Sequence, residues 1–208
     1  VQKVAVEKRP FTELSLLAWE AGRKDRSGGD KTPPPITPPK KDYTYWLVGA
    51  YWDDRDPQDQ TARFLDEGIW ENGYTDRYLD EVRAMKVNDK IAIKAATTQR
   101  KNLPFDGQGH TVSLMIIKAS GTIVANRGDG RTVEVEWERD FEEKSWYFYT
   151  NRSTVWRLRT DDNYTLKPYS EKLIDFIWGG QAQDYAWFAA QWWSDQKPDK
   201  TQPPLPPD

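Results

Sequence analysis

The chain has 208 residues, no cysteine, a single histidine and a formal net charge of −3. The absence of cysteine excludes thiolate zinc sites, Fe–S clusters, cysteine nucleophiles and disulfide frameworks, and one histidine excludes a multi-histidine metal site. We therefore expect no metal and no cofactor. The 11 tryptophans exceed what a core of this size normally needs, so we expect some of them to serve in binding.

The two ends of the chain differ in composition from its middle. Apolar residues at helical spacing predict a short helix over Phe11–Gly22, within an N-terminal extension of residues 1–24. Residues 25–42 are rich in glycine and proline and are predicted to be a linker. Residues 194–208 are proline-rich and are interpreted as a second linker, which leads into a missing downstream domain. We expect one domain between them, over residues 43–193.

The domain is predicted to be α+β, with strands and short helices followed by two terminal helices. Runs of β-branched and aromatic residues indicate the strands, and apolar residues at helical spacing indicate the helices. Two of the predicted strands are expected to pair as a hairpin, and Ser170 is expected to cap a helix. The order favours a curved antiparallel sheet or small barrel with helices outside it. The predicted elements are strand Tyr43–Tyr51, helix Gln60–Glu67, a helix after Thr75-Asp76, strand Lys90–Ala96, strand Thr111–Ala125 bent near Ser120-Gly121, strand Arg131–Trp137, hairpin Trp146–Tyr149 with Thr154–Leu158, helix Ser170–Trp178 and helix Asp184–Trp193.

Several function classes are disfavoured by missing motifs. No P-loop, G-x-S-x-G or H-E-x-x-H pattern occurs. Adjacent acids such as Asp53-Asp54 point to opposite faces of a strand and make poor acid–base pairs. No apolar run approaches the ~18 residues of a membrane span, and no secretory signal opens the chain. The sequence predicts a cytoplasmic protein that has no catalytic residues and no membrane partner.

Two segments of the predicted domain carry basic residues and no acid, although the whole chain is mildly acidic. Residues 90–105 include Lys94, Arg100 and Lys101, and residues 144–160 include Arg152 and Arg157 among several aromatic side chains. We predict that these five cations contact phosphates on one basic face. The alternative is that they are ordinary solvated ends of strands.

Four motifs of the predicted domain resemble motifs of the EVE and YTH families of PUA-like domains. Tyr45–Val48 resembles the opening strand of an EVE domain, and Met85–Ile91 resembles its Met-Lys-Val-Gly-Asp turn, with Asn in place of Gly. Gly68–Asn72 resembles the Ile-Trp pair and polar loop of YTH domains, and Val133–Trp137 resembles the strand that closes their binding site. The resemblance implies a PUA-like curved β-barrel of about six strands with flanking helices.

A further set of motifs is similar to the EVE-like domains that precede the AAA+ GTPase in McrB-type restriction systems. The motifs are Gly68–Gly73, Ile91–Ala95, Asn102–Asp106, Trp146–Thr150 and Thr154–Trp156. The resemblance implies binding of DNA with a methylated or hydroxymethylated base, which is flipped into an aromatic cage. It also implies targeting of a type IV restriction complex in phage defence. The partners would be an AAA+ GTPase domain in the same chain and a nuclease subunit, which would carry GTP hydrolysis and DNA cleavage.

Four aromatic residues are candidates for the walls of the base pocket. Trp70 matches the YTH cage position, and its alternative role is a core tryptophan that anchors the loop. Trp52 follows the first strand and could form a second wall. Trp146 and Tyr149 point to opposite faces if their segment is a strand, so one could line the pocket while the other lies in the core.

Asn72 and Asn151 are candidates for contacting the edge of the base, because an amide offers both a donor and an acceptor. Their alternative role is to form turns. Three other functions remain open from the sequence: an RNA reader of a modified base, which EVE and YTH relatives include, a protein-interaction adaptor, and a self-contained enzyme. The sequence does not specify which modification is bound.

Overall fold

The computed structural model describes residues 43–52 and 55–193. The predictions for residues 1–42 and 194–208 lie outside the described residues. In chain order, the described elements are β1 (Tyr45–Val48), β2 (Tyr51–Trp52), β3 (Gln58–Asp59), α1 (Thr61–Glu67), β4 (Ile69–Glu71), α2 (Leu79–Ala84), β5 (Lys90–Gln99), β6 (Val112–Asn126), β7 (Thr132–Trp137), β8 (Lys144–Tyr147), β9 (Val155–Leu158), α3 (Lys167–Trp178) and α4 (Tyr185–Trp193).

Seven strands form one mixed sheet, which confirms the predicted α+β class. Its order is β4-β7-β6-β5-β1-β9, and β8 also pairs with β6. Strands β1 and β5 are parallel, and the other pairs are antiparallel. The pairings among the described strands leave β4 and β9 at opposite ends of the order, so they form an open sheet and not a closed barrel.

Strand β6 is the longest strand and organises the sheet. It pairs with β5 along one edge, while the other edge pairs first with β8 and then with β7. Its register skips Lys118 opposite β5 and Val124 opposite β7, so each is an extra residue in a bulge. The predicted bend near Ser120-Gly121 therefore lies between two bulges, which bend a strand and increase its twist. The Lys118 ammonium donates to the hydroxyl of Tyr51 and to the carboxylate of Asp59, which ties the β2–β3 ribbon to the sheet.

The sheet is buried on both faces because the side chains of its central strands alternate between two cores. On β1, Leu47 enters one core and Trp46 enters the other. The first, the α3–α4 core, includes Phe188 from α4. The second, the α1–α2 core, includes Phe64 from α1 and Val82 from α2. Within the described ranges, no helix is both long enough and apolar enough to cross a membrane.

The predicted hairpin is wrong. Strand β8 pairs with β6, and β9 pairs with β1. Between them, Phe148 has a left-handed backbone conformation with φ of 73°, and residues 148–151 are buried. This turn directs the chain away from β8 and across to β1, so the two strands do not meet.

The predicted cap at Ser170 is also wrong. Helix α3 begins at Lys167, with Pro168 in its first turn, where its missing N–H costs nothing. Ser170 therefore lies inside the helix, fully buried, and its Oγ is 3.1 Å from the hydroxyl oxygen of Tyr149. Because the helix begins three residues earlier than predicted, Ser170 forms a hydrogen bond in the core and does not cap the helix.

Candidate functional site

The candidate site lies where the chain leaves β1, at the carboxyl end of the parallel pair β1–β5. Val48 is the last residue of β1 and pairs with Ile93 of β5. The following residue, Gly49, donates its N–H to the carbonyl oxygen of Thr154 over 2.7 Å. Its own carbonyl oxygen accepts the Nε1–H of Trp70 over 2.8 Å. We call the segment Gly49–Trp52, together with the loops that contact it, the β1 end.

Trp70 is brought to the β1 end, but as a core residue. Its side chain is fully buried in the α1–α2 core, and its one polar atom is used by the bond to Gly49. The predicted cage wall is therefore corrected: in this conformation Trp70 has no face on which a base could stack. The alternative role, a core tryptophan that anchors its surroundings, agrees with the structure.

Trp52 is the one of the four candidate aromatic residues that is partly exposed. The guanidinium carbon of Arg63 lies 4.9 Å from the ring centroid, and Phe64 contacts the ring edge-on at 6.3 Å. Gly73 packs so closely that a Cβ there would lie 2.8 Å from Cδ1 and Nε1 of the indole. These contacts fix the ring at the β1 end, where the residue as a whole is partly exposed.

Both candidate asparagines form turns. Asn72 is fully buried; its Oδ1 accepts the N–H of Tyr74 over 3.1 Å, and its Nδ2 donates to the carbonyl oxygen of Arg77 over 2.7 Å. Oδ1 of Asn151 accepts the N–H of Ser153 over 2.6 Å. The predicted contact with a base edge is corrected for Asn72, because both ends of its amide already hold the loop. Asn151 is also buried, so its main role is the turn.

Lys94 is buried at the β1 end, which corrects its predicted contact with phosphate. Its side chain enters the loop before β9, where Nζ donates to the carbonyl oxygens of Asn151 over 2.8 Å and Ser153 over 2.6 Å. Only 3% of the residue is exposed, so a phosphate has no access to the ammonium group. Desolvation by burial lowers the pKa of Lys94 to about 7.

Trp146 and Tyr149 both lie in the α3–α4 core, and this also corrects a prediction. Nε1 of Trp146 donates to the carbonyl oxygen of Tyr149 over 2.8 Å, and the Tyr149 hydroxyl contacts Ser170. Burial raises the pKa of the Tyr149 phenol. Each residue is at most 1% exposed, so neither offers a ring face on which a base could stack.

The other four predicted phosphate contacts are exposed at the surface. Arg152 belongs to the loop that contacts Gly49 and Lys94, so it lies at the β1 end. Arg157 is on β9, and its guanidinium carbon is 6.0 Å from the ring centroid of Trp46. Arg100 and Lys101 follow β5, which extends six residues past the end of β1, or roughly 20 Å. These four cations therefore lie on β9, in the loop before β9 and in the loop after β5, and they do not form one cluster.

The sequence predicts a polar loop at Asn72 but does not single out Tyr74 and Arg77, which follow in the loop that contacts Trp52. In this loop the ring centroids of Tyr74 and Tyr78 lie 5.9 Å apart, and the guanidinium carbon of Arg77 is 5.3 Å from the Tyr74 ring centroid. The Asn-Gly pair at residues 72–73 is a strong turn signal that supports the predicted loop. Its position against Trp52 is a tertiary contact that the local pattern does not contain.

Comparison of the chain with protein-family models, with curated proteins and with solved structures gives no match. In the part of the chain that the structure describes, no three His, Cys, Asp or Glu side chains converge into a possible metal site.

Proposed function

We propose that the domain binds DNA that carries a modified base, and that this base is flipped out of the duplex and stacks on Trp52. The observation that carries the proposal is that Trp52 is partly exposed, while Gly73 packs against its indole and the guanidinium carbon of Arg63 lies 4.9 Å from its ring centroid. Stacking of one base on an aromatic side chain contributes about 1–3 kcal/mol. A flipped base has two π faces and needs such a surface.

The buried polar groups of the β1 end support selective binding. A single methyl group contributes only ~0.8 kcal/mol on burial, so discrimination requires walls that do not relax. Lys94 holds the carbonyls of the loop before β9, and Asn72 holds both ends of the loop next to Trp52. We propose that this hydrogen bonding keeps the two sides of the base site rigid, and that exposed Arg152 contacts a nearby phosphate.

We extend the proposal to the architecture and the biological setting. The parallel β1–β5 pair and the doubly bulged β6 support a curved PUA-like sheet. On this proposal the domain targets a cytoplasmic McrB-type restriction complex. GTP hydrolysis and DNA cleavage then belong to an AAA+ domain and a nuclease subunit, and the chain itself is not an enzyme.

The test is a fluorescence-anisotropy titration of the full 208-residue chain with matched duplex oligonucleotides. The duplexes contain one N6-methyladenine, one 5-methylcytosine, one 5-hydroxymethylcytosine or no modification. We expect the chain to bind one modified duplex at least several-fold more tightly than the unmodified duplex. Equal affinity for all four contradicts the proposal. Tighter binding to a single-stranded RNA with the same modification replaces it with the RNA-reader alternative.

A further inference from the structure

We propose that the loop Asn72–Tyr78, called the Asn72 loop, is a second nucleic-acid contact. In this arrangement Tyr74 stacks on the nucleotide next to the base at Trp52, and Arg77 contacts a backbone phosphate between the two. The inference rests on the proposed function, because it assigns the flanking strand to a surface beside the same base site.

The Asn72 loop is ordered before any ligand binds. Oδ1 and Nδ2 of Asn72 bond to the backbone of Tyr74 and Arg77, and the N–H of Asn72 donates to the carbonyl oxygen of Arg131 over 2.8 Å. The loop ends at Tyr78 in a left-handed conformation with φ of 61°. A non-glycine residue adopts this conformation only when its surroundings impose it. A loop that is already ordered loses little conformational entropy on binding.

The loop begins beside the proposed base site. Gly73 packs directly against the Trp52 ring, and Tyr74 is the next residue in the chain. Tyr74 is half-buried, so part of this residue is open to solvent. This position beside Trp52 is the reason that the inference assigns Tyr74 to the nucleotide next to the flipped base.

Arg77 differs from Arg63 and Arg131 in its charge partners. Arg63 and Arg131 both donate to the carboxylate of Glu71, each over 3.1 Å. Arg77 is exposed and forms no ion pair with any described residue, and its guanidinium carbon lies 5.3 Å from the Tyr74 ring centroid, so it is placed to meet a phosphate beside Tyr74. The acid of the loop, Asp76, is also exposed and opposes this contact by repelling the phosphate.

The test uses the full chain, the preferred modified duplex and its unmodified counterpart. We expect Tyr74→Ala to weaken binding to both duplexes by roughly 5- to 150-fold, the range of one lost stack. The modified-to-unmodified affinity ratio stays unchanged, because Tyr74 contacts the neighbouring nucleotide. Tyr74→Phe retains binding. Arg77→Ala lowers the slope of log affinity against log salt by about 1. The control Arg83→Ala, an exposed arginine paired with Asp80, leaves that slope unchanged.

We expect Asp76→Asn to tighten binding several-fold at low salt, because it removes a charge that repels the phosphate. A misfolded variant would not bind more tightly, so this gain in affinity separates the inference from an effect of misfolding. The inference is overturned if Tyr74→Ala and Asp76→Asn leave both affinities within twofold of the unaltered chain. A loss of the affinity ratio in Tyr74→Ala overturns the assignment to the neighbouring nucleotide, because it places the modified base itself on Tyr74. If the unaltered chain binds none of the duplexes, the proposed function fails and the inference fails with it.

Discussion

The indole Nε1–H of Trp70 donates to the carbonyl oxygen of Gly49 over 2.8 Å, across 21 residues of sequence. This bond joins β4 to the segment that follows β1. It places a fully buried tryptophan beneath the segment that leads to the partly exposed Trp52. Trp70 therefore packs in the core beneath the β1 end, whereas Trp52 is partly exposed at the surface of the same end.

Removal of the Trp70 indole N–H is expected to lower stability. Trp70→Phe leaves the carbonyl oxygen of Gly49 without its partner, which costs about 1–3 kcal/mol of the free energy of unfolding. Trp70→Ala also creates a cavity and costs about 3–5 kcal/mol. Urea unfolding followed by circular dichroism measures both. A Trp70→Phe chain that is as stable as the unaltered one, yet has lost modified-base binding, restores Trp70 as a cage wall.

The stability of the chain is expected to depend on pH through Lys94. Its pKa is about 7 in the folded chain against 10.5 for an ordinary lysine. Between these values the unfolded chain binds one more proton at this site, so the free energy of unfolding rises with pH by at most about 1.4 kcal/mol per unit. Below pH 7 both states are protonated, and the cost of burying the charge is fully present.

Lys94→Met removes the titrating amine and keeps an unbranched side chain. We expect the difference in unfolding free energy, unaltered chain minus Lys94→Met, to increase from pH 7 to pH 10. Urea unfolding at several pH values measures this difference. A difference that stays constant over this range contradicts the buried, neutralised lysine.

Gly73 is expected to be required for the position of Trp52. In Gly73→Ala the new Cβ would lie 2.8 Å from the indole atoms Cδ1 and Nε1, so the ring must move. We expect a loss of about 1–3 kcal/mol in stability and weaker binding of the modified duplex. Gly49→Ala is the matched control for stability, because its Cβ would meet Thr154 at an ordinary 3.6 Å. Equal stability of the two variants contradicts the close packing of Gly73 on Trp52.

The sequence located most elements because their signals are local. The β-branched and aromatic run before residue 48 predicts β1 by its composition, and the alternation over Arg131–Trp137 predicts β7. Both strands are present. Strand pairing is not local, and this is why the hairpin between β8 and β9 was wrong. Nothing near Tyr147 or Val155 specifies that their partners are β6 and β1.

Several residues that the sequence predicts for the site lie near one another, but their exposure was not predictable. Trp70, Asn72, Asn151 and Lys94 do gather around the β1 end with Trp52. Burial of a side chain depends on which loop lies over it, and a sequence motif does not contain that information. For the same reason a lysine that the sequence predicts to face phosphate instead bonds to two backbone carbonyls.

The measurement that tests the central claim most directly is the modified-to-unmodified affinity ratio of Trp52 variants. Trp52→Leu removes the aromatic face, Trp52→Phe retains one, and Trp187→Leu is a control at a half-buried tryptophan of α4. Fluorescence anisotropy of each folded variant with the preferred duplex pair gives the ratio. We expect the ratio to fall to about 1 in Trp52→Leu and to persist in Trp52→Phe and Trp187→Leu. An unchanged ratio in Trp52→Leu contradicts the assignment of the base to Trp52.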